Sequence, residues 1–271
     1  MNRRQLLRAS ATWVGLSMVG CRARRPSDPI PHHDLLSLES SVLGERRNVT
    51  VWQPDLDPGV ALPVLYMPDG GVREDFPHVA NTVATLISQG ALPPVRLVGI
   101  ENTDRQRDLT GPTGVPKDRE MLPSNGGSAA FRSFVRDELI GHIESRYACD
   151  DRRAIMGESL AGLFVVETFF DEPGLFDAHI AFSPSLWWNG GALPREAQRR
   201  LRNHPGGVLF LASANETDIV SQVASLARSL ERAARSDIRW THEPRPDLRH
   251  WTIFRALKEA ALTWALGPWH A

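Results

Sequence analysis

The segment Ile155–Gly162, with the sequence IMGESLAG, decides the fold of this chain because it joins a strand pattern to a helix pattern through a serine. The apolar residues before Gly157 are typical of a buried strand, and the apolar run 160–170 after Ser159 is typical of a helix. Small residues at Gly157 and Ala161 let strand and helix approach closely enough to hold a serine at the apex of a sharp turn. The pattern departs from Gly-x-Ser-x-Gly at Ala161, and a glycine follows directly. We predict that Ser159 is a nucleophile; the alternative is a serine that only caps the helix.

Strand and helix patterns alternate on both sides of this segment. Strands are predicted at 47–52, 63–67, 95–100, 153–156, 178–182, 207–211 and 238–240. Helices are predicted at 76–88, 127–143, 160–170, 195–203, 220–232 and 251–265. Such alternation is typical of a mostly parallel sheet with helices on both faces, so the sequence predicts a single domain of the α/β class.

A nucleophilic serine needs a base to take its proton and an acid to orient that base. In this kind of fold the acid and then the base follow the serine along the chain. The loop after the strand at 207–211 offers Glu216 as first choice for the acid and Asp218 as second, although Asp218 could instead cap the next helix. Three histidines follow these acids, namely His242, His250 and His270. We predict His250 as the base because it lies in a loop just before the closing helix, whereas His242 ends a strand and His270 adjoins the C-terminus.

Acyl transfer also needs backbone N–H groups that bind the negative oxygen of the tetrahedral intermediate. One donor should be the amide of Leu160, the residue after the nucleophile. The other is expected in the loop after the strand at 63–67, where Gly70 and Gly71 allow close approach of the backbone. The alternative for these two glycines is a simple turn.

The composition argues against several classes of protein. The chain has 271 residues, of which 42% are hydrophobic and 23% charged, enough for one large domain with a substantial core. A net charge of −1 argues against a nucleic-acid binder, which usually carries a strong basic excess. His32 and His33 fall in a predicted tether, and no cluster of His, Asp and Glu has the spacing of a metal site. We therefore predict no metal and no cofactor.

The N-terminal segment resembles an export signal. Three arginines within the first eight residues precede an apolar run that is too short to span a bilayer. The stretch 2–7 (NRRQLL) resembles a twin-arginine signal, and 18–21 (MVGC) resembles a bacterial lipobox. These resemblances imply an export signal at 1–20, a lipid-modified Cys21, a tether over 21–42 and a catalytic domain over 43–271. The protein is then exported to the periplasm or cell envelope and meets the membrane only through its lipid; the alternative is an amphipathic N-terminal helix of a soluble protein.

Several longer motifs resemble those of one family. They are YMPDGG at 66–71, IENTDRQRDLT at 100–110, GSAAF at 127–131, GESLAGL at 157–163 and SPSLWW at 183–188. Together they resemble the putative esterase family of α/β-hydrolases, and within it the enterobactin- and salmochelin-esterase-like branch. The resemblance covers most of the chain from about Leu43 onward.

This resemblance implies an α/β-hydrolase fold and cleavage of carboxylic esters through an acyl-enzyme. Its catalytic residues correspond to Ser159, His250 and Glu216, and it places Arg107 and Trp187 near the substrate cleft. Arg107 could pair with a negative substrate, and Trp187 could stack on an aromatic or apolar acyl group; core packing is the alternative for one of the two tryptophans at 187 and 188.

The sequence is compatible with three functional interpretations. A serine esterase would act on a small-molecule ester, with siderophore-type and aryl or acyl esters as candidates. An acyltransferase would use the same residues but exclude water from the acyl-enzyme. A non-catalytic envelope lipoprotein would keep the fold to bind a ligand, and the presence of serine, histidine and acid counts against it.

Overall fold

Eight strands form the central sheet of the structure, a computed structural model that describes residues 28–270. In chain order they are β1 (Asp34–Ser40), β2 (Glu45–Trp52), β3 (Leu62–Pro68), β4 (Arg96–Ile100), β5 (Cys149–Glu158), β6 (Ala178–Phe182), β7 (Gly207–Ser213) and β8 (Ile238–Pro244). Their order across the sheet is β1-β2-β4-β3-β5-β6-β7-β8. Strands β3 to β8 run parallel, whereas at one edge β2 pairs antiparallel with β4 and β1 pairs antiparallel with β2.

The helices connect these strands and follow the predicted pattern with two additions. They are α1 (Phe76–Ser88), α2 (Arg105–Leu109), α3 (Pro116–Met121), α4 (Ser128–Phe134), α5 (Ile140–Glu144), α6 (Leu160–Asp171), α7 (Trp188–Arg200), α8 (Thr217–Ala233) and α9 (His250–Leu266). A π-helical turn at Val135–Leu139 joins α4 to α5, so the helix predicted over 127–143 is continuous. The short helices α2 and α3 were not predicted, because each spans less than two helical turns.

Helices cover both faces of the parallel part of the sheet. Along β3, Leu65 and Met67 pack with α1 and α9, while Val64 and Tyr66 pack into the layer that contains α4, α6 and α8. All four side chains are buried, as expected for a strand whose alternating residues both face helices. The prediction of a mostly parallel sheet in one α/β domain is confirmed.

The boundary predicted between tether and domain is wrong. Asp34–Ser40, expected within the tether over 21–42, forms β1 and pairs along its whole length with β2. As an edge strand with partly exposed side chains, including Leu35 at 64% exposure, β1 lacks the continuous apolar run that marks a buried strand. The domain therefore begins before residue 43.

The residues before β1 also pack on the domain. We call Asp28–His33 the N-terminal arm; within it the Pro29 carbonyl accepts a hydrogen bond of 2.7 Å from Asn81 Nδ2 in α1. The predicted export signal at 1–20 and Cys21 lie outside the described residues. Within residues 28–270, no helix combines the length and apolar character needed to cross a bilayer.

Candidate active site

Ser159 lies at the turn where β5 ends and α6 begins. Its backbone angles are φ +61° and ψ −117°, a conformation that costs energy in any residue other than glycine. A Cβ at Gly157 would lie 2.7 Å from atoms of Ala161, so glycine is required there, whereas the methyl group of Ala161 is accommodated. The Ser159 hydroxyl makes no capping hydrogen bond to α6, and its Oγ lies 3.4 Å from Ser185 Oγ. This geometry is typical of the strained strand–helix turn that presents a nucleophilic serine.

Glu216 and His250 meet at the same edge of the sheet. Glu216 follows β7 and precedes α8, and His250 is the first residue of α9, after β8. His250 Nδ1 lies 3.0 Å from Glu216 Oε1, with both side chains half-buried. The amide of Asn215 donates to the Leu248 carbonyl at 3.2 Å and so ties the two loops together. Because β5, β7 and β8 are parallel, the pair and Ser159 all follow the carboxyl ends of their strands.

The second-choice acid and the other histidines are placed differently. Asp218 is exposed in the first turn of α8, a position that stabilises a helix electrostatically. His242 lies on β8, where its Nε2 is 2.9 Å from Ser213 Oγ. His270 is exposed at the end of a 3₁₀ turn that follows α9. The structure thus brings Glu216, rather than Asp218, to a histidine.

The predicted oxyanion donors differ in availability. The amide of Leu160 is in the first turn of α6 and has no acceptor within its own helix. The Gly70 amide donates to the Ile100 carbonyl at 2.9 Å, which argues against its role as a donor to substrate. The Gly71 amide donates to Glu74 Oε2 at 2.7 Å, so a substrate oxygen could use it only after Glu74 moves.

Arg105 lies at the candidate active site, a position that was not predicted from the sequence. Its Nε donates to Asp69 Oδ1 at 2.6 Å, and its Nη2 lies 3.4 Å from the carbonyl of Glu158, directly before Ser159. Asp69 follows β3 with a positive φ of 57°. Arg105 therefore bridges the loop after β3 and the turn that carries Ser159. The only available signal was its place in the motif at 100–110.

Arg107 and Trp187, which the family resemblance placed near the cleft, have close protein neighbours. Arg107 donates to Glu45 Oε1 at 2.7 Å and to Asp108 Oδ1 at 2.7 Å. Trp187 is half-buried, and its ring lies edge-on to Trp188. Trp188 is buried, and its Nε1 donates to the Gly111 carbonyl at 2.9 Å. Of the two tryptophans, Trp188 is the one committed to core packing.

A buried carboxyl precedes the serine. Burial raises the pKa of Glu158 to about 8, with the charges of Asp75 and Asp69 adding to the rise and that of Arg105 opposing it. Glu158 Oε1 is buried and has no hydrogen-bond partner among the described residues. The Glu158 carboxyl therefore keeps its proton at neutral pH.

Glu158→Gln is expected to raise the melting temperature, and the gain should grow from about pH 5 to about pH 8 and then stay constant. Between the unfolded and the raised folded pKa, the folded state holds a proton that the unfolded state has lost, so stability falls as pH rises. Glutamine does not titrate, so the variant lacks this pH-dependent loss of stability. Thermal unfolding across this pH range measures the effect, with Glu231→Gln on the exposed face of α8 as control for the loss of a charge. A pH-independent difference between Glu158→Gln and wild type would contradict the raised pKa.

Over residues 28–270, no group of three or more His, Cys, Asp or Glu side chains is arranged to hold a metal ion.

Comparison with known proteins identifies the family. The chain matches the model of the family described as Putative esterase over residues 40–242, a range that includes Ser159 and Glu216 but ends before His250. It is 28% identical over 227 residues to the ferri-bacillibactin esterase of Bacillus subtilis, covering 74% of this chain and 76% of that protein. It is 24% identical over 163 residues to the iron(III) salmochelin esterase of Escherichia coli, covering 57% of this chain and 36% of the relative.

Solved structures share the fold. An IroE-like serine hydrolase from Shewanella oneidensis has a TM-score of 0.77 at 24% identity and covers 87% of this chain and 79% of its own. The enterobactin esterase of Shigella flexneri has a TM-score of 0.72 at 19% identity, covering 90% of this chain and 61% of its own. The α/β-hydrolase fold implied by the sequence motifs is thereby confirmed. The chain belongs to the putative esterase family of carboxylic ester hydrolases.

Proposed function

We propose that this protein hydrolyses esters through an acyl-enzyme on Ser159, with His250 as base and Glu216 as the acid that orients it. The observation that carries the proposal is the 3.0 Å contact between His250 Nδ1 and Glu216 Oε1, on the two loops that follow β7 and β8. With the carboxylate beside Nδ1, Nε2 is left to accept the serine proton. The strained turn at Ser159 supports the proposal independently, because such turns are typical of nucleophiles in this fold.

The proposed reaction has two steps, acylation of Ser159 and hydrolysis of the acyl-enzyme. Ser159 Oγ attacks the ester carbonyl while His250 takes its proton, and the Leu160 amide donates to the oxyanion. The carbonyl re-forms as the alcohol leaves with the proton from His250, and the acyl group stays on Oγ. Water then attacks the acyl-enzyme by the same route and releases the acid. In this proposal Gly71 is the second oxyanion donor. Its amide leaves the Glu74 carboxylate and donates to the substrate oxygen instead.

The test of the proposed function is the hydrolysis of p-nitrophenyl acetate by wild type, Glu216→Ala and Asp218→Ala. We expect Glu216→Ala to lower kcat by about 10³- to 10⁴-fold, less than loss of the nucleophile, because other contacts can still orient the imidazole in part. Asp218→Ala is the matched control, since it removes an exposed carboxylate two residues away. A loss in Asp218→Ala equal to that in Glu216→Ala would overturn the assignment. Wild type that hydrolyses neither aryl esters nor an iron-loaded trilactone would overturn the function.

The proposed substrates are small-molecule esters of the siderophore type. Relatives that support this class are named as esterases of ferri-bacillibactin and of iron(III) salmochelin. Hydrolysis of an iron-loaded trilactone, followed by chromatography of the released monomers, tests the class directly. Cleavage of a simple aryl ester without cleavage of trilactones would redirect the proposal to aryl or acyl esters.

We further propose that the protein is exported and anchored by a lipid on Cys21. The support is the motif MVGC at 18–21 after a short apolar run. The mass of the mature N-terminal peptide from the producing cell tests this proposal. A mature protein that retains residues 1–20 would contradict it.

A further inference from the structure

A cavity of about 620 Å³ opens between the N-terminal arm and the segment that follows Gly71. Its size falls within the range of roughly 300–1,000 Å³ that small-molecule sites occupy. Its walls are formed by Asp28, Pro29, Ile30, Val72, Arg73, Glu74 and Pro77. The arm therefore supplies part of the lining of this cavity.

Both carboxylates in these walls have protein partners in the structure. Asp28 Oδ2 lies 2.6 Å from Arg255 Nη2. Glu74 accepts hydrogen bonds from the Gly71 amide at 2.7 Å and from Asn102 Nδ2 at 2.7 Å. Ile30, in contrast, is 56% exposed beside the cavity. The arm thus presents an apolar side chain, with its one carboxylate neutralised, which suits an apolar group of a ligand.

The cavity and Ser159 lie at the same edge of the sheet, beyond the carboxyl ends of β3 and β5. The cavity begins at Val72, directly after Gly71, and the parallel register that pairs Tyr66 with Ile155 brings the ends of β3 and β5 side by side. Neighbouring strands lie about 4.8 Å apart. Arg105 connects the same two ends through Asp69 and the Glu158 carbonyl. Glu74, which lines the cavity, also binds the amide of Gly71, the proposed second oxyanion donor.

The arm is also fixed to the helix that carries the proposed base. Arg255, the partner of Asp28, lies in α9 five residues after His250. Trp251 lies one turn before Arg255 on the same face of α9, and it is 68% exposed. On the α1 side, the His33 ring packs edge-on against Phe76 with ring centres 5.5 Å apart. The arm thus contacts both α9 and α1.

We propose that the N-terminal arm is a wall of the substrate cleft, and that Ile30 binds an apolar alkyl or aryl group of the ester. This inference rests on the proposed esterase function. It makes Ile30 a residue that selects among esters by size and leaves the attack by Ser159 unchanged. Asp28 acts as a positioning residue, because its ion pair with Arg255 holds the arm in place.

The test measures kcat/KM of wild type, Ile30→Asp and Leu35→Asp on two pairs of esters. One pair varies the acyl group (p-nitrophenyl acetate and octanoate), and the other varies the alcohol (ethyl acetate and 2-naphthyl acetate). Ile30→Asp should lower kcat/KM for the larger ester of at least one pair about tenfold, because a charge replaces an apolar contact, with less than about twofold change for the smaller ester. Leu35→Asp is the matched control, since Leu35 is 64% exposed but lies on β1, outside the cavity.

A second variant separates the position of the arm from the chemistry of Ile30. Asp28→Asn should give the same selective loss on the larger ester, while Asp237→Asn, which breaks the Arg235–Asp237 pair before β8, should not. Unchanged selectivity in Ile30→Asp, with Ser159→Ala inactive, would overturn the arm proposal alone. Activity that survives Ser159→Ala would overturn the proposed function instead. An equal loss on both esters of each pair would assign the arm a structural role and overturn its role in selection.

Discussion

Ser159→Ala is expected to lower kcat for p-nitrophenyl acetate by about 10⁴- to 10⁶-fold, to a residual rate sustained by binding and backbone donors alone. Without the hydroxyl no acyl-enzyme forms, and no other hydroxyl stands at the strained turn after β5. His250→Ala should cause a loss of similar size, because serine and base act as one unit. For the same reason the double variant should be no slower than either single variant.

The control for this prediction is Ser185→Ala. Ser185 is the neighbouring hydroxyl, with its Oγ 3.4 Å from that of Ser159, but it follows β6 and does not precede a helix directly. We expect Ser185→Ala to change kcat less than about tenfold, as for a contact that is not part of the reacting unit. Steady-state kinetics at equal concentrations of folded protein measures both variants. Full activity in Ser159→Ala, with loss in Ser185→Ala, would move the nucleophile to β6.

The turn at Ser159 could be predicted because its requirements are local. A buried strand, a small residue on each side and an apolar helix are all readable within one short segment. The structure adds the reason for the asymmetry of the motif: Gly157 has no room for a Cβ, while Ala161 keeps its methyl group. The order of acid and base along the chain was equally informative. It led to Glu216 and His250, which meet at 3.0 Å.

The loop after β3 could not be predicted in the same way. Sequence identified Gly70 and Gly71 as candidate donors, but which carbonyl or carboxylate takes each amide depends on residues far along the chain. Ile100 takes the amide of Gly70, and Glu74 takes that of Gly71. Arg105 was overlooked for a related reason, since its partners Asp69 and Glu158 are 36 and 53 residues away.

The N-terminal boundary was wrong for a different physical reason. Residues 28–40 are anchored by an edge pairing with β2 and by contacts to α1 and α9, rather than by burial of an apolar run. Contacts of this kind leave little trace in hydrophobic periodicity. Three of these residues, Asp28, Pro29 and Ile30, also line the cavity, and the prediction of a tether gave no indication of their proposed role.

Gly70→Ala is expected to destabilise the domain by about 4 kcal/mol or more, enough to remove most of the stability of a typical protein. An added Cβ would lie 2.2 Å from the Cα of Gly99 and 2.3 Å from the amide nitrogen of Ile100. These are backbone atoms of β4, which cannot rotate away as a side chain could. The loop is also hydrogen-bonded here, from the Gly70 amide to Ile100 and from the Thr50 hydroxyl to the Gly70 carbonyl, so a shift would break both bonds.

Gly141→Ala is the matched control for this substitution. A Cβ at Gly141 meets nothing within 4 Å, and the residue lies on the exposed side of α5, so alanine should stabilise the domain by about 0.5–1 kcal/mol. Urea denaturation followed by circular dichroism compares the two, and recovery of Gly70→Ala only as aggregate would count as the expected loss. A Gly70→Ala protein with the wild-type midpoint would show that the loop can leave β4. The Gly70 amide would then be free to bind a substrate oxygen and to act as an oxyanion donor.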